Sequence, residues 1–351
     1  MAMKLVSGVF LSLGLLLSLS ACGSEELSPP TIIAPNSPPQ NDPPAAPPAR
    51  IRSDFDKDGN PDLVTTFQSY ISIWLMKPNA NAPNALSRVS ERFIAPMPAG
   101  FSIVASADFD GDANFDLVIM NGSTRKLSIM KLAGADGMVF TDTLPLKQTD
   151  GTTDFVVPTG LSVEGSIDYD FDQKPDLLLW NPTVGNDVRV YKFDGIRNIS
   201  NTPIINQDAV TPQPGPNFSI VGLYEFQDQN KWSIFWQAKS TANVPGEIYR
   251  WTMTGTTRLI PESDVMKNYT ASAPPSQNLI AASPWLVVGV RKFSTDSSIS
   301  MILQDTRTAA TNEWKYVRWR FQPNFDYAGL EFISSTPTRD ITQMPPAIQQ
   351  D

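Results

Sequence analysis

The chain has 351 residues and a net charge of −9, and it contains one cysteine and no histidine. An acidic chain repels the phosphate backbone, so nucleic acid is not an expected partner. The lack of histidine excludes Ser-His-Asp and Cys-His catalysis, and it excludes imidazole metal ligands. A single cysteine cannot form a disulfide framework.

Residues 1–21 have the pattern of a secretory signal peptide, with Lys4 before an apolar stretch that ends in small residues. The sequence Leu19-Ser20-Ala21-Cys22 resembles the bacterial lipobox, in which the cysteine is lipidated and becomes the first mature residue. The resemblance implies a lipid anchor on Cys22. Gly23 follows, where aspartate would favour inner-membrane retention, so the outer membrane is expected, with the periplasmic or the cell-surface side left open. The alternative is an ordinary secretory signal with a chance cysteine.

Residues 22–50 are expected to form a stalk. Nine prolines lie between Ser28 and Arg50 among Ala, Asn and Ser, without the apolar periodicity that a folded core requires. A proline-rich segment of ~20 residues at ~3.1 Å per residue reaches ~60 Å. The stalk therefore precedes a domain that we place at residues 51–340, followed by a tail at 341–351.

This domain contains three loops of nine residues with aspartate at positions 1, 3, 5 and 9. They are Asp54, Asp56, Asp58 and Asp62 in the first loop; Asp108, Asp110, Asp112 and Asp116 in the second; and Asp168, Asp170, Asp172 and Asp176 in the third. Four neighbouring carboxylates repel one another unless a cation lies between them. Ca²⁺ takes oxygen ligands from flexible loops of this kind, so the sequence predicts up to three calcium ions.

The loops belong to a longer repeat. Loop starts fall at 54, 108, 168, 225 and 292, the last two in degenerate copies that begin with Glu225 and Lys292. A short apolar strand begins seven residues before each loop after the first, for example at Phe101 and Phe218, and a second strand follows the loop. An aromatic residue recurs at loop position 2. It is Phe55, Phe109, Tyr169, Phe226 and Phe293.

The spacing leaves room for about four short strands per unit, and helix signals are nearly absent. Repeated four-stranded units that close on themselves are typical of an all-β fold, the β-propeller. We predict five blades. The first unit lacks a complete upstream strand, so the strand Leu330–Ile333 is expected to pair into the first blade and close the ring.

The segment from Gly100 to Asn121 (GFSIVASADFDGDANFDLVIMN) resembles an FG-GAP or VCBS repeat, the unit of integrin α-chain propellers and of many exported bacterial propellers. The resemblance is specific in the first three units. It implies that the aspartates of each loop ligate one Ca²⁺, with the position-7 backbone carbonyl of Asn60, Asn114 or Lys174 as a further ligand. It also implies that the ion mainly stiffens the propeller.

The loops have two competing interpretations. An EF-hand requires Glu at position 12, where this chain has Thr65, Ile119 and Leu179, so it is excluded. Solvated acidic turns without metal remain the alternative. Only the first loop has glycine at position 6 (Gly59), so it is expected to bind most reliably. In the fifth unit, the ammonium group of Lys292 is hypothesised to replace the ion.

The eight tryptophans allow sugar stacking as one interpretation and blade core as the other. Trp74, Trp251 and Trp319 share a repeat position with Met130 and Tyr191, which favours core. Trp180 and Trp236 share another position and also favour core.

No catalytic residue is assigned. The main functional expectation is a non-catalytic, calcium-stabilised binding or adhesion module, anchored to the membrane through Cys22, for a protein or glycan of the envelope. The alternatives are a polysaccharide-active enzyme of the lyase type and an envelope-assembly factor.

Overall fold

The computed structural model describes the repeat region in most of its length. The described ranges are 54–67, 70–79, 82–183, 187–206, 215–226, 230–239, 241–242, 246–259, 264–265, 267–268, 277–278, 281, 285–292, 299–305, 316–321 and 327–332. The signal peptide, Cys22, the stalk and the tail lie outside them. Within these ranges the regular structure consists of strands, and no helix long and apolar enough to cross a membrane is found there.

The strands form consecutive sheets, and the first three of these are antiparallel. The first sheet contains β1 (Leu63–Phe67), β2 (Tyr70–Asn79) and β3 (Ala82–Pro96). The second contains β4 (Phe101–Ala107), β5 (Asp116–Asn121), β6 (Leu127–Ala133) and β7 (Val139–Pro145). The third contains β8 (Ser162–Ile167), β9 (Asp176–Trp180), β10 (Val188–Asp194) and β11 (Arg197–Pro203).

The later strands are less regular. The fourth sheet contains β12 (Ile205–Asn206), β13 (Phe218–Phe226), β14 (Lys231–Ala238), β15 (Ile248–Thr254), β16 (Thr257–Arg258) and β17 (Asp264–Val265). A two-stranded sheet contains β18 (Lys267–Asn268) and β19 (Gln277–Asn278). The fifth large sheet contains β20 (Trp285–Lys292), β21 (Ile299–Asp305), β22 (Tyr316–Phe321) and β23 (Tyr327–Phe332).

The all-β propeller fold is confirmed, but the blade count differs from the prediction. Four of the sheets in the described ranges have four strands or more, whereas the first sheet has three. The predicted closing strand, which contains Leu330, pairs with β22 in the last sheet, where Leu330 lies opposite Trp319. Within the described ranges, four blades are therefore complete where five were predicted. The connection between β22 and β23 is short, so pairing these strands costs less loop entropy than pairing β23 with the first sheet, which is far away in the sequence.

The repeat register is confirmed by burial. Position 9 of each loop is fully buried, at 0% exposure, in all five units: Asp62, Asp116, Asp176, Ser233 and Ser300. The first strands of the units begin at Phe101, Ser162, Phe218 and Trp285, within one residue of the positions read from the sequence. The degenerate fourth and fifth units therefore keep the framework of the first three.

The repeated large side chains belong to the core. Trp74, Met130, Tyr191 and Trp251 are at most 6% exposed. Trp180 and Trp236 are also buried and contact each other edge to face, with ring centroids 5.3 Å apart. Buried rings cannot stack on a sugar, so the core interpretation holds for these residues. The side chain of Trp319 lies outside the described residues.

The core lies between neighbouring sheets. Val118 and Ile129 of the second sheet pack in one cluster with Leu177 and Leu179 of the third. A second cluster joins the first and second sheets, and a third joins the third and fourth. Each blade is therefore stabilised by burial against the next one, as in other repeat architectures.

The innermost strands share a bulge that the sequence pattern did not reveal. The pairing register of β4, β8, β13 and β20 with the following strand shifts at the same place, just before Ala105, Gly165, Gly222 and Gly289. These strands are next to one another in the ring. A Cβ added to Gly222 would lie 2.6 Å from Cγ2 and 3.2 Å from the backbone nitrogen of Val290 in β20. A small residue after the bulge thus allows adjacent blades to approach closely.

We expect Gly222→Ala to lower the free energy of unfolding by about 2 kcal/mol, because the added methyl group overlaps Val290 and forces the strands apart. Denaturant unfolding of the purified chain measures this. Gly122→Ala is the control, since a Cβ there meets only the Gly100 carbonyl oxygen at 3.5 Å. Equal midpoints for the two variants would contradict the close-approach argument.

Candidate metal centres

The three aspartate loops have the same backbone. We name them the first loop (54–62), the second loop (108–116) and the third loop (168–176). Positions 4 and 6 of each are in the left-handed region, with φ of 59° and 87° at Lys57 and Gly59. The corresponding φ values are 78° and 67° at Gly111 and Ala113, and 60° and 66° at Phe171 and Gln173. Asn230, at position 6 of the fourth unit, has φ 49°, so the turn persists where the aspartates are lost.

The position-1 carboxylate folds each loop around itself. Asp54 accepts hydrogen bonds from the backbone N–H groups of Asp58 and Gly59, at 3.0 and 2.8 Å. The same pair of bonds reaches Asp108 from Asp112 and Ala113, at 3.1 and 2.8 Å, and Asp168 from Asp172 and Gln173, at 3.1 and 2.8 Å. The carboxylates at the loop starts are thereby turned into the loop interior.

The position-9 carboxylate ties the loop to its blade. Asp62 accepts the N–H of Phe55 at 2.8 Å and that of Met76, in β2, at 2.9 Å. Asp116 accepts the equivalent bonds from Phe109 at 3.3 Å and Leu132 at 3.1 Å. Asp176 accepts the N–H of Phe193, in β10, at 2.8 Å. Its Oδ2 is buried and accepts no hydrogen bond from any residue in the described ranges.

Burial raises the pKa of these carboxyl groups. It brings the pKa of Asp62 and Asp116 to about 7 and that of Asp176 to about 8, although the backbone N–H donors oppose the shift. The neighbouring aspartates of the same loop raise the pKa values further. A cation placed among the carboxylates favours their ionised form and would reverse this shift.

In each loop, carboxylate oxygens of three of the four predicted aspartates lie close together. Oxygen atoms within 4.8 Å of one another come from Asp54, Asp56 and Asp58; from Asp108, Asp110 and Asp116; and from Asp168, Asp170 and Asp176. Asp62, Asp112 and Asp172 lie outside these groups. The ligand atoms are all carboxylate oxygens, which a hard cation prefers. The buried Oδ2 of Asp176, which accepts no hydrogen bond within the described residues, could be satisfied by such a cation. The three clusters can therefore hold metal ions.

Position 7 contributes its backbone to the loop. The N–H groups of Asn60, Asn114 and Lys174 donate to the position-5 carboxylates at 2.8, 2.8 and 2.9 Å. The ammonium group of Lys174 bonds Asp194 at 2.7 Å, so that side chain is engaged outside the carboxylate cluster. The side-chain oxygen of Asn114 accepts a bond from Lys57 at 2.9 Å, which links the first loop to the second.

The sequence did not predict the contacts of three lysines with the loops. They lie in β2, β6 and β10, which we call the third strand of each unit because the first unit lacks its upstream strand. Lys77 lies 3.1 Å from Asp58, Lys131 forms an ion pair with Asp110, and Lys192 forms ion pairs with both Asp170 and Asp172. Hydrogen bonds that Lys192 donates to these two aspartates raise the pKa of its ammonium group. The available signal was spacing, since each lysine follows its loop start by 23 or 24 residues.

The degenerate units are only partly described. Glu225, at position 1 of the fourth unit, accepts the backbone N–H of Asp168 at 3.1 Å and so contacts the third loop. The side chain of Lys292 lies outside the described residues, and its role as an internal cation stays a prediction.

The left-handed positions give a direct test of the loop geometry. We expect Gly59→Ala to destabilise the protein by roughly 1 kcal/mol and Ala113→Gly to stabilise it slightly, because only glycine adopts positive φ without steric cost. Thermal unfolding of the two variants in the same buffer measures both changes. A destabilised Ala113→Gly variant would show that the two loops do not share a backbone.

Comparison with known proteins gives one family match, in the first two units. Residues 54–119 match the FG-GAP-like repeat. No curated protein matches the chain.

Solved structures with similar folds are distant. They include the Tc holotoxin pore of Photorhabdus luminescens, at 13% identity and TM-score 0.38, with 82% of this chain and 12% of that chain covered. An exo-beta-1,3-galactanase of Phanerochaete chrysosporium with galactose has 8% identity and TM-score 0.41, with 78% and 66% covered. This chain thus spans less than two thirds of the length of both structures. Because these TM-scores lie below 0.5, the fold is assigned from the sheets and the repeat alone.

The matched repeat brackets the first loop and the second, and the third loop has the same backbone and the same hydrogen bonds. The sheets that carry the loops form a β-propeller. The chain is therefore an all-β propeller that contains an FG-GAP-like repeat at residues 54–119.

Proposed function

We propose that this protein is a calcium-stabilised, non-catalytic binding or adhesion propeller, anchored to the bacterial outer membrane through lipidated Cys22. Its ligand is a protein or a glycan of the cell envelope. The observation that carries the proposal is that the aspartates of the three loops have a structural role. They are buried or bonded to the backbone of their own loop, and this leaves the remaining surface of the ring for recognition.

Calcium is the cation that suits these loops best. Each cluster offers carboxylate oxygens from a flexible loop with left-handed turns, and such loops supply the many ligands that Ca²⁺ takes. The position-9 carboxylate connects the loop to the third strand, so an ion held by the loop also stabilises the blade. Binding of metal to the folded state then adds directly to stability.

The carboxylates of these loops do not indicate catalysis. A raised pKa can mark an acid–base catalyst, but in Asp62, Asp116 and Asp176 burial accounts for it. These groups accept hydrogen bonds from backbone N–H groups and lie at 0% exposure, where a substrate cannot reach them. The lack of histidine removes the commonest general base.

The anchor and the stalk support a role in binding. The lipobox-like sequence ends at Cys22, and the proline-rich segment after it can hold the propeller away from the membrane surface. Such reach favours contact with a fixed partner more than chemistry on a diffusing substrate.

An envelope-assembly factor is the second candidate, and the outer strands favour it. Val139 and Phe140 of β7 are 53% and 38% exposed, and Ile199 of β11 is 38% exposed. Both are the last strands of their sheets, and edge strands with exposed apolar side chains can pair with an added strand.

Chelation tests the calcium framework. We expect EDTA to lower the melting temperature of the purified full chain by at least about 5 °C, because the folded state loses the free energy of ion binding. The matched control replaces the position-1 aspartates together (Asp54→Asn, Asp108→Asn and Asp168→Asn), and its melting temperature should no longer respond to calcium. Identical melting curves with and without chelator would contradict structural calcium.

Retention without turnover tests the binding role. We expect the immobilised full chain to retain either an envelope polysaccharide or a solubilised envelope protein in calcium, and to release it unchanged in EDTA. Ultraviolet absorbance of unsaturated uronic acid would instead indicate a lyase. Loss of retention in the double variant Val139→Asp, Phe140→Asp would favour the assembly factor with its edge strands.

A further inference from the structure

The third loop differs from the other two in the cation that the protein itself supplies. Lys192, in β10, lies 2.9 Å from Oδ2 of Asp172 and forms a second ion pair with Asp170. Its side chain is 21% exposed, against 46% for Lys77. The ammonium group is therefore held between two carboxylates of one loop.

Among the described residues, the other two lysines form one ion pair each with their loops. Lys131 occupies the same register position as Lys192, one residue before the N–H donor to the position-9 aspartate, and it pairs with Asp110 alone. Lys77 follows the corresponding donor and pairs with Asp58 alone, at 3.1 Å. The three loops thus differ in the number of ion pairs with their lysine, and the third loop has the most.

Lysine and metal compete for the same oxygens. Asp170 belongs to the third carboxylate cluster, and Oδ2 of this residue is the atom paired with Lys192. A divalent ion that uses Asp170 must share it with the ammonium group or displace it, and both reduce the gain from binding. In the first cluster, Lys77 pairs with Asp58 and its side chain is about half exposed, so the competition with a metal ion is smaller.

We propose that Lys192 is the built-in cation of the third loop, so that this loop keeps its shape without metal and binds Ca²⁺ more weakly than the first loop. The inference rests on the proposed function, since it ranks the calcium affinity of the three loops. It also shows how a unit that depends on metal could become independent of it, since a lysine can supply the positive charge.

The variant Lys192→Met tests this in the full chain, because methionine keeps most of the side-chain volume and removes the charge. We expect its third site to bind calcium roughly five- to tenfold more tightly than that of the wild type. Equilibrium dialysis with metal analysis counts the ions bound at each free calcium concentration. Lys131→Met is the matched control, and its effect should fall on the second loop.

Tyr169 allows metal binding to the third loop to be measured separately by luminescence. It lies at position 2 of that loop, where the first and second loops have Phe55 and Phe109, and its ring centroid is 6.0 Å from Nζ of Lys192. Tb³⁺ bound beside it should luminesce on tyrosine excitation. The signal that Tyr169→Phe removes should reach half its maximum at roughly five- to tenfold lower Tb³⁺ in Lys192→Met than in the wild type.

A second pair of variants keeps the inference testable if Lys192→Met does not fold. Asp112 and Asp172 both accept the position-7 N–H, at 2.8 and 2.9 Å, but only Asp172 of the two is paired with the lysine of the third strand. In EDTA, Asp172→Asn should therefore lower the melting temperature more than Asp112→Asn. Equal losses would overturn the proposal.

The outcomes separate this inference from the proposed function. Equal Tb³⁺ midpoints for the wild type and Lys192→Met, with ions bound at all three loops, overturn the role of Lys192 and leave the calcium framework intact. Binding at no loop in any variant overturns both. A tighter third site in Lys192→Met supports both.

Discussion

A buried carboxylate at the last position of each aspartate loop ties that loop to its own blade. In the first two loops it accepts one N–H group from the start of its loop and one from the third strand, as Asp62 does with Phe55 and Met76. In the third loop, Asp176 accepts the N–H group of Phe193 in the third strand. The loop, the second strand and the third strand are thus connected through a single side chain. Because that side chain is buried at 0% exposure, its charge is costly unless donors or cations surround it. The backbone N–H donors and the lysines around the loops reduce this cost.

The degenerate units show what remains when the charge is removed. Ser233 and Ser300 occupy the same buried position, and Asn230 keeps the left-handed turn three residues before Ser233. The blade therefore does not require the carboxylate, since packing between neighbouring sheets supplies most of the burial. The aspartates add a charge-dependent element to a framework that hydrophobic contacts already define. This explains how five sequence units can share one register while only three of them carry a metal-binding pattern.

Two kinds of cation can meet the charge of the loops. The oxygen clusters suit a divalent ion, and the fold itself provides the lysines of the third strands. Lysine contributes one charge on a flexible side chain, whereas Ca²⁺ organises six to eight oxygens around one point. A loop with strong lysine contacts therefore gains stability without metal but loses the rigidity that a bound ion gives.

The sequence by itself determined the repeat, its register, the all-β class and the residues of the three loops, because alternating strands and aspartates at fixed spacing are local patterns. It also identified the buried ring positions such as Trp74 and Trp251. Tertiary structure decided everything that depends on contacts between distant segments. Leu330 pairs with β22 and not with the first sheet, Gly222 allows two blades to meet, and Lys192 reaches a loop that begins 24 residues earlier. These outcomes depend on the relative free energy of alternative long-range pairings and on side-chain direction, and local spacing along one chain does not contain either quantity.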